Sequence, residues 1–172
     1  HPTDFIVPAA TFQGYRRADG RAATRNYLGI VTTVNCSAAT SRMIASRLEP
    51  LLAQFPNIDG VVPLTHGGGC GMAASGLEMD VLRRTLAGYA KHPNMAAVVV
   101  LGLGCETNQI SGLMTAEGLK EGPKLIPMAI QDECGVSRTV LRAVDFLKEI
   151  LPEANDVKRE AIPASELILA LQ

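Results

Sequence analysis

Four cysteines stand in four glycine- or polar-rich loops, each directly after a short apolar run. The loops read Asn35–Cys36–Ser37, Thr65–His66–Gly67–Gly68–Gly69–Cys70–Gly71, Gly102–Leu103–Gly104–Cys105–Glu106–Thr107–Asn108 and Gln131–Asp132–Glu133–Cys134–Gly135. A buried cysteine behaves as a small hydrophobe, but these four lie in turns rather than inside the apolar runs. Converging thiolates bind a soft or borderline metal, and three can hold an iron–sulfur cluster with one open iron. A single thiol beginning a helix is instead a candidate nucleophile. No CxxC spacing is present, so either chemistry depends on the fold bringing the loops together. His66 precedes three glycines; it is a candidate metal ligand or general base, or a structurally satisfied residue. The glycines after it let backbone N–H groups approach an anion. Glu106 beside Cys105 is a candidate to ligate iron or bind a hydroxyl, or a charge at a helix start. Neither glycine loop completes a phosphate-binding or dinucleotide fingerprint.

A second group of residues precedes the first apolar run. Arg16, Arg17, Arg21 and Arg25 lie close together, and guanidinium forks suit carboxylate capture. A solvated basic loop is the alternative. Sixteen basic against seventeen acidic residues leave a net charge of −1, which offers no footprint for nucleic acid. The longest apolar stretch, Met95 to Cys105, is too short for a membrane span, and the first residues lack the pattern of a signal peptide. Free thiols without an export signal point to a cytoplasmic setting.

The elements that must position these loops follow a regular rhythm. Strands are expected at Leu28–Val34, Asp59–Leu64, Met95–Leu103 and Lys124–Ile130. Helices are expected at Ala39–Leu52, Leu77–Lys91, about Asn108–Lys120 and Val136–Leu151, with Pro152 ending the last. Leu77, Val81, Leu82, Leu86 and Tyr89 are assigned to one apolar face of the second helix. The third strand is apolar throughout, as in a parallel strand buried on both faces. Pro127 favours an edge position for the fourth. Alternating strands and helices predict a three-layer α/β fold, Rossmann-like or flavodoxin-like, with a parallel sheet of about four to five strands. Residues 1–26 are read as an irregular segment and 27–172 as one α/β domain. Ser165–Gln172 reads as the start of another apolar element. In such a sheet ligands sit at the carboxyl ends of the strands, where the four loops fall.

Longer motifs add a resemblance. Gly14–Tyr15–x–Arg17–x–Asp19–Gly20–Arg21–x–x–x–Arg25–Asn26–Tyr27, Thr33–Val34–Asn35–Cys36–Ser37 and Thr65–His66–x–x–Gly69–Cys70–Gly71–Met72 occur in this order. Arg84–Thr85–Leu86–x–Gly88–Tyr89, His92–Pro93–Asn94 and Gly102–Leu103–Gly104–Cys105–Glu106–x–Asn108–Gln109 follow. Together they resemble the central domain of the altronate and galactarate dehydratases over about residues 12 to 172. That resemblance implies an iron-dependent hydro-lyase that converts a sugar acid to a 2-keto-3-deoxy acid. It also leaves open a member that eliminates sulfite from sulfolactate. It implies iron, as Fe(II) or as an iron–sulfur cluster, held by some of Cys36, Cys70, Cys105 and His66. His66 and Glu106 would be catalytic, with Arg21, Arg25, Asn26, Asn35 and Asn108 on the substrate. Family members continue with a Cys-Gly-Gly-Ser-Asp motif, and some carry a small N-terminal domain. The chain is therefore expected to be a fragment of a longer enzyme, inactive alone, that works with a C-terminal domain. Whether it forms a homo-oligomer is left open, and no nucleic acid or membrane is expected as partner. Asp132–Glu133–Cys134–Gly135 departs from the family's Gly-Gly turn, which makes Cys134 the doubtful fourth thiol. A non-catalytic α/β module holding an anion in the His66–Gly71 loop is the competing reading.

Overall fold

The computed structural model describes residues 10–170. In chain order its strands are β1 Thr11–Arg16, β2 Ala22–Ala23, β3 Tyr27–Thr32, β4 Gly60–Leu64, β5 Met95–Gly102, β6 Leu125–Ala129 and β7 Glu160–Pro163. The helices are α1 Ala38–Leu48, α2 Leu77–Ala90, α3 Ile110–Glu117 and α4 Val136–Asn155. β3 to β6 form one parallel sheet in the order β4-β3-β5-β6, with a helix in each crossover. β3 and β5 are central, and their alternate residues feed two cores. Leu28, Ile30, Val99 and Leu101 pack with Ile44, Leu48, Val140 and Leu147 under α1 and α4. Val31, Val98 and Val100 pack with Leu86 and Leu113 under α2 and α3. Burial on both faces explains the continuous apolar sequence of β5. The three-layer α/β expectation is met, with four parallel strands in a flavodoxin-like order. Pro127 lies in β6 and Pro63 in β4, the two edge strands, where a missing ladder donor is tolerated.

The first β-elements depart from expectation. Residues 1–9 lie outside the described residues, but 10–26 are not irregular throughout. β1 pairs antiparallel with β2 and, across the length of the chain, with β7. This small sheet sits at the amino ends of the parallel strands. Arg159 bonds Asp59 just before β4, and its guanidinium stacks 4.4 Å above the Tyr15 ring centre. Ile162 of β7 and Tyr15 of β1 are buried there. β7 falls where the sequence shows an extended Ile162–Pro163–Ala164. Beyond it a single 3-10 turn, Ala164–Glu166, leads to exposed Leu167, Ile168 and Leu169 without a regular element. Leu171 and Gln172 lie outside the described residues.

Three helical details also differ. The first helix stops at Leu48 and tightens into a 3-10 turn over Glu49–Gln54, because Pro50 has no N–H for the ladder. Pro152 lies inside α4 rather than ending it. Leu151 and Ala154 are buried on either side of it, so packing holds the last turn despite one lost bond. On α2 the buried residues are Met79, Leu86 and Ala87, while Leu77, Val81 and Tyr89 are exposed. Of the expected face, Leu86 is buried and Leu82 packs against the core, while the helix turns Leu77, Val81 and Tyr89 outward and Met79 and Ala87 inward. Among the described residues no helix is long and apolar enough to cross a membrane.

Candidate active site at the carboxyl edge of the sheet

From β3 the chain adds β4 on one side and β5 on the other, so the direction of winding reverses between β3 and β5. Ligands of open parallel sheets bind at that switch point, beyond the carboxyl ends of the strands. The loops of Cys36, Cys70 and Cys105 follow β3, β4 and β5 and flank it; the Cys134 loop follows β6 at the sheet's far edge.

The floor of this crevice is closed by the chain's own polar groups. Glu106 is 3% exposed. Its Oε1 accepts from the Thr33 hydroxyl at 2.8 Å and the Leu103 N–H at 3.1 Å, and its Oε2 from the Gly104 N–H at 2.5 Å. A Cβ at Gly102 would fall 2.3 Å from Oε1, so only glycine admits the carboxylate. Asn108, fully buried, donates from Nδ2 to the Thr33 carbonyl at 3.2 Å and from its backbone N–H to the Gly69 carbonyl at 3.1 Å. Its Oδ1 accepts from Arg83 Nε at 3.1 Å. Ser37, also buried, donates to the Val34 and Leu101 carbonyls, bridging β3's loop to β5. Gly69 crosses directly over this seam with φ of 92°, and a Cβ on it would lie 2.2 Å from the Thr33 carbonyl oxygen. Among the described residues no buried side-chain nitrogen or oxygen lacks a partner.

His66 is held between two backbone groups. Nε2 lies 3.0 Å from the Thr32 carbonyl, which can only accept, and the Gly68 N–H donates to Nδ1 at 3.1 Å. These two contacts suit the tautomer that carries its proton on Nε2. Either ring nitrogen reaches a metal or a substrate proton only if one of these bonds opens.

Above the floor stand the exposed groups. Cys36, Cys70, Cys105 and Cys134 are all free and exposed. Asn35 is exposed, anchored by its N–H to the Gly68 carbonyl at 3.0 Å, and its Oδ1 accepts from the Cys36 thiol. Cys134 adopts φ of 59°. That left-handed conformation suits glycine and accounts for the Gly-Gly turn expected at this place. Among the described residues no three His, Cys, Asp or Glu side chains converge to hold a metal ion. Thiols of this kind suit a soft or borderline metal, but the described residues do not close a ligand set around one.

The basic segment lies at the other end of the molecule. Arg21 pairs with Asp19 and donates to the Lys91 carbonyl at 2.7 Å; Arg25 donates to the adjacent Thr24 carbonyl. Asn26 is fully buried where β3 begins, donating to the Asn57 and Ala154 carbonyls, both at 2.8 Å. The structure does not bring Arg21, Arg25 or Asn26 to the cysteine loops, because all three precede β3 and the loops follow the strands' far ends. Arg17 is likewise tied to Pro93, Asn26 and Arg25, and burial pulls its guanidinium below the usual range. Two basic side chains that the motif reading left without a role do reach the carboxyl edge. Arg42 of α1 contacts Thr65, and Arg83 of α2 contacts Asn108. Only the fold reveals them, since neither lies in one of the cysteine loops.

The family model for the second domain of D-galactarate dehydratase/altronate hydrolase matches residues 14–155. The chain belongs to this family. It is 34% identical over 165 residues to an altronate dehydratase of Bacillus subtilis, covering 94% of this chain and 32% of that protein. It is 37% identical over 172 residues to a galactarate dehydratase (L-threo-forming) of Escherichia coli, covering 94% of this chain and 32% of that protein. A (2R)-sulfolactate sulfo-lyase subunit beta of Chromohalobacter salexigens is 29% identical over 159 residues, covering 91% of this chain and 36% of that subunit. The chain thus spans about a third of the length of these relatives. The residues matched by this second-domain model include the loops after β3, β4, β5 and β6.

Proposed function

We propose that this chain forms one wall of the active site of a sugar-acid dehydratase, which removes water to give a 2-keto-3-deoxy acid. The observation that carries the reading is the crevice between β3 and β5, with a welded polar floor and an exposed rim of thiols and amide, in a chain of the dehydratase family.

In such an elimination a base takes the proton from the carbon beside the carboxylate. A cation holds the resulting enediolate, and the neighbouring hydroxyl leaves as water once protonated. The enol then becomes the keto acid. Asn35 is placed to bind a substrate hydroxyl. His66 Nδ1 acts as base when substrate displaces the Gly68 N–H. Glu106 and Asn108 are committed to the floor, so their part is to position the loops. Iron would supply the cation, and Cys36, Cys70 and Cys105 are the donors this chain would offer it. Among the described residues these donors do not close around an ion by themselves. Four free thiols fit a reducing, cytoplasmic setting.

The test is conversion of altronate and of galactarate by the complete enzyme, with and without anaerobic iron loading. Iron retention and keto-acid formation, both lost on combined Cys36→Ala, Cys70→Ala and Cys105→Ala substitution, are expected. Full activity of that triple variant without bound iron overturns the metal reading; no keto acid from any sugar acid overturns the dehydratase reading. The sulfo-lyase relative supports a second substrate class, in which the same elimination expels sulfite from a sulfolactate. Sulfite release in place of water loss would select it.

A further inference from the structure

An acid substrate needs a cation for its carboxylate, and Arg17, Arg21 and Arg25 lie at the wrong end of the strands to supply it. Arg42, Arg83 and the first turns of α4 supply the basic side chains at the carboxyl edge, and Arg142 there is paired with Glu133. Arg83 differs from the others in how it is held. It is half-buried, and side chains on a helix lean toward the helix's amino end, which for α2 is the end at the cysteine loops. Its Nε donates to the buried Asn108 Oδ1 at 3.1 Å, and Asn108 in turn grips the Thr33 and Gly69 carbonyls. Its guanidinium rests on Gly112 of α3, where an added Cβ would come within 2.6 Å of Nη2. Among the described residues nothing accepts from Nη1 or Nη2, and no unpartnered side-chain nitrogen is buried, so both keep some access to solvent. A guanidinium fixed through Nε keeps its end-on fork for a planar, bidentate anion.

We propose that Arg83 is the carboxylate anchor of this edge. Asn108 and Gly112 hold its Nη fork ready for the carboxylate of a hydroxy acid. The proposal rests on the reading of the carboxyl edge as a sugar-acid site, and it assigns the cation that site needs. It accounts for two features at once: a fully buried amide spending its oxygen on an arginine, and a glycine inside a helix where the guanidinium lies.

Calorimetric titration of the full chain with galactarate, with succinate as a carboxylate without hydroxyls, and with galactitol as an uncharged analogue tests it. Galactarate and succinate should bind and galactitol should not. Arg83→Met should weaken both carboxylates by roughly ten- to a hundredfold, the range for losing hydrogen bonds to a charged group. Arg83→Lys should recover part of the loss, and Arg84→Gln, on the same helix, should bind as the unaltered chain. Gly112→Ala keeps the charge and favours the helix but displaces the guanidinium, so it should weaken binding with no fall in unfolding temperature. Unaltered binding in both Arg83→Met and Gly112→Ala, or no carboxylate binding by the unaltered chain, overturns the anchor. The two readings separate cleanly. Arg83-dependent succinate binding in an enzyme that dehydrates no sugar acid leaves the anchor and removes the dehydratase. Dehydration by Arg83→Met at an unchanged KM does the reverse.

Discussion

Glu106 accepts three hydrogen bonds and donates none, and two of its donors are the amides of its own loop. A carboxylate used in this way is a clasp: it closes the turn after β5 and fastens it to Thr33. Glu106→Gln keeps one oxygen for Thr33 and Leu103 but turns an amino group toward the Gly104 N–H, donor against donor. The variant is expected to lose about 1–3 kcal/mol of stability in a denaturant titration, the cost of a buried unsatisfied pair. Loss of activity with unchanged stability would instead mark Glu106 as a reacting group. The sequence placed Glu106 correctly beside Cys105 at a strand end but left its role open, because its partners are backbone amides and a threonine 73 positions away. His66 was opaque for the same reason: its two partners are main-chain groups of Thr32 and Gly68, which no side-chain motif encodes.

At the scale of elements, the loops after β3, β4 and β5 behave as one unit. The β4 loop crosses the β3 loop through Gly69, which also receives the Asn108 N–H from the β5 loop. Gly69→Ala meets two obstacles, a left-handed backbone and a carbonyl oxygen inside contact distance. It should cost at least about 2 kcal/mol, by the sum of modest backbone and overpacking penalties, and should raise the reactivity of Cys70 toward a thiol reagent as the loop lifts. A stable variant with unchanged thiol kinetics would show that the crossing is not needed. The four parallel strands were legible within a residue or two because burial on both faces leaves a continuous apolar signature. The pairing of β1 with β7 was not. It joins Thr11–Gly14 to Glu160–Pro163, and short strands with exposed faces carry no local pattern to announce a partner so distant. On α2 the sequence identifies Leu82 and Leu86 as inward but not that Leu77, Val81 and Tyr89 face outward, because these three make a second apolar stripe and only contact with β3 and β5 decides between them.

The whole molecule divides its chemistry between two ends. The carboxyl edge carries the thiols, while the amino edge is fastened by charge. Arg16 pairs with both Glu160 and Glu166, Arg21 with Asp19, and Arg159 with Asp59. Three titrating groups there shift in the destabilising direction for acid. Burial, helped by Arg21, holds His92 below its ordinary value of 6.5, and its Nδ1 accepts from the Asn94 N–H at 3.1 Å. The Arg16 hydrogen bond holds Glu166 below 4.5, and the Arg21 backbone N–H, with its side chain, holds Asp19 below 3.8. Each folded group therefore binds its proton less readily than the unfolded chain does. Stability is present above the unfolded values and is lost as pH falls, first through His92 below about 6.5, then through the carboxylates. Hydrogen exchange corrected for intrinsic rates should show β1 and β7 losing protection on acidification before β3 and β5 do. His92→Gln should flatten the first limb, above about pH 5, and leave the carboxylate limb in place. Exposed pairs are weak and screened, so salt should erode the acid-sensitive protection while leaving the aliphatic cores unchanged. If β3 and β5 instead open first, the amino-edge sheet is not the part of the fold that charge secures, and the acid response belongs to the cysteine loops.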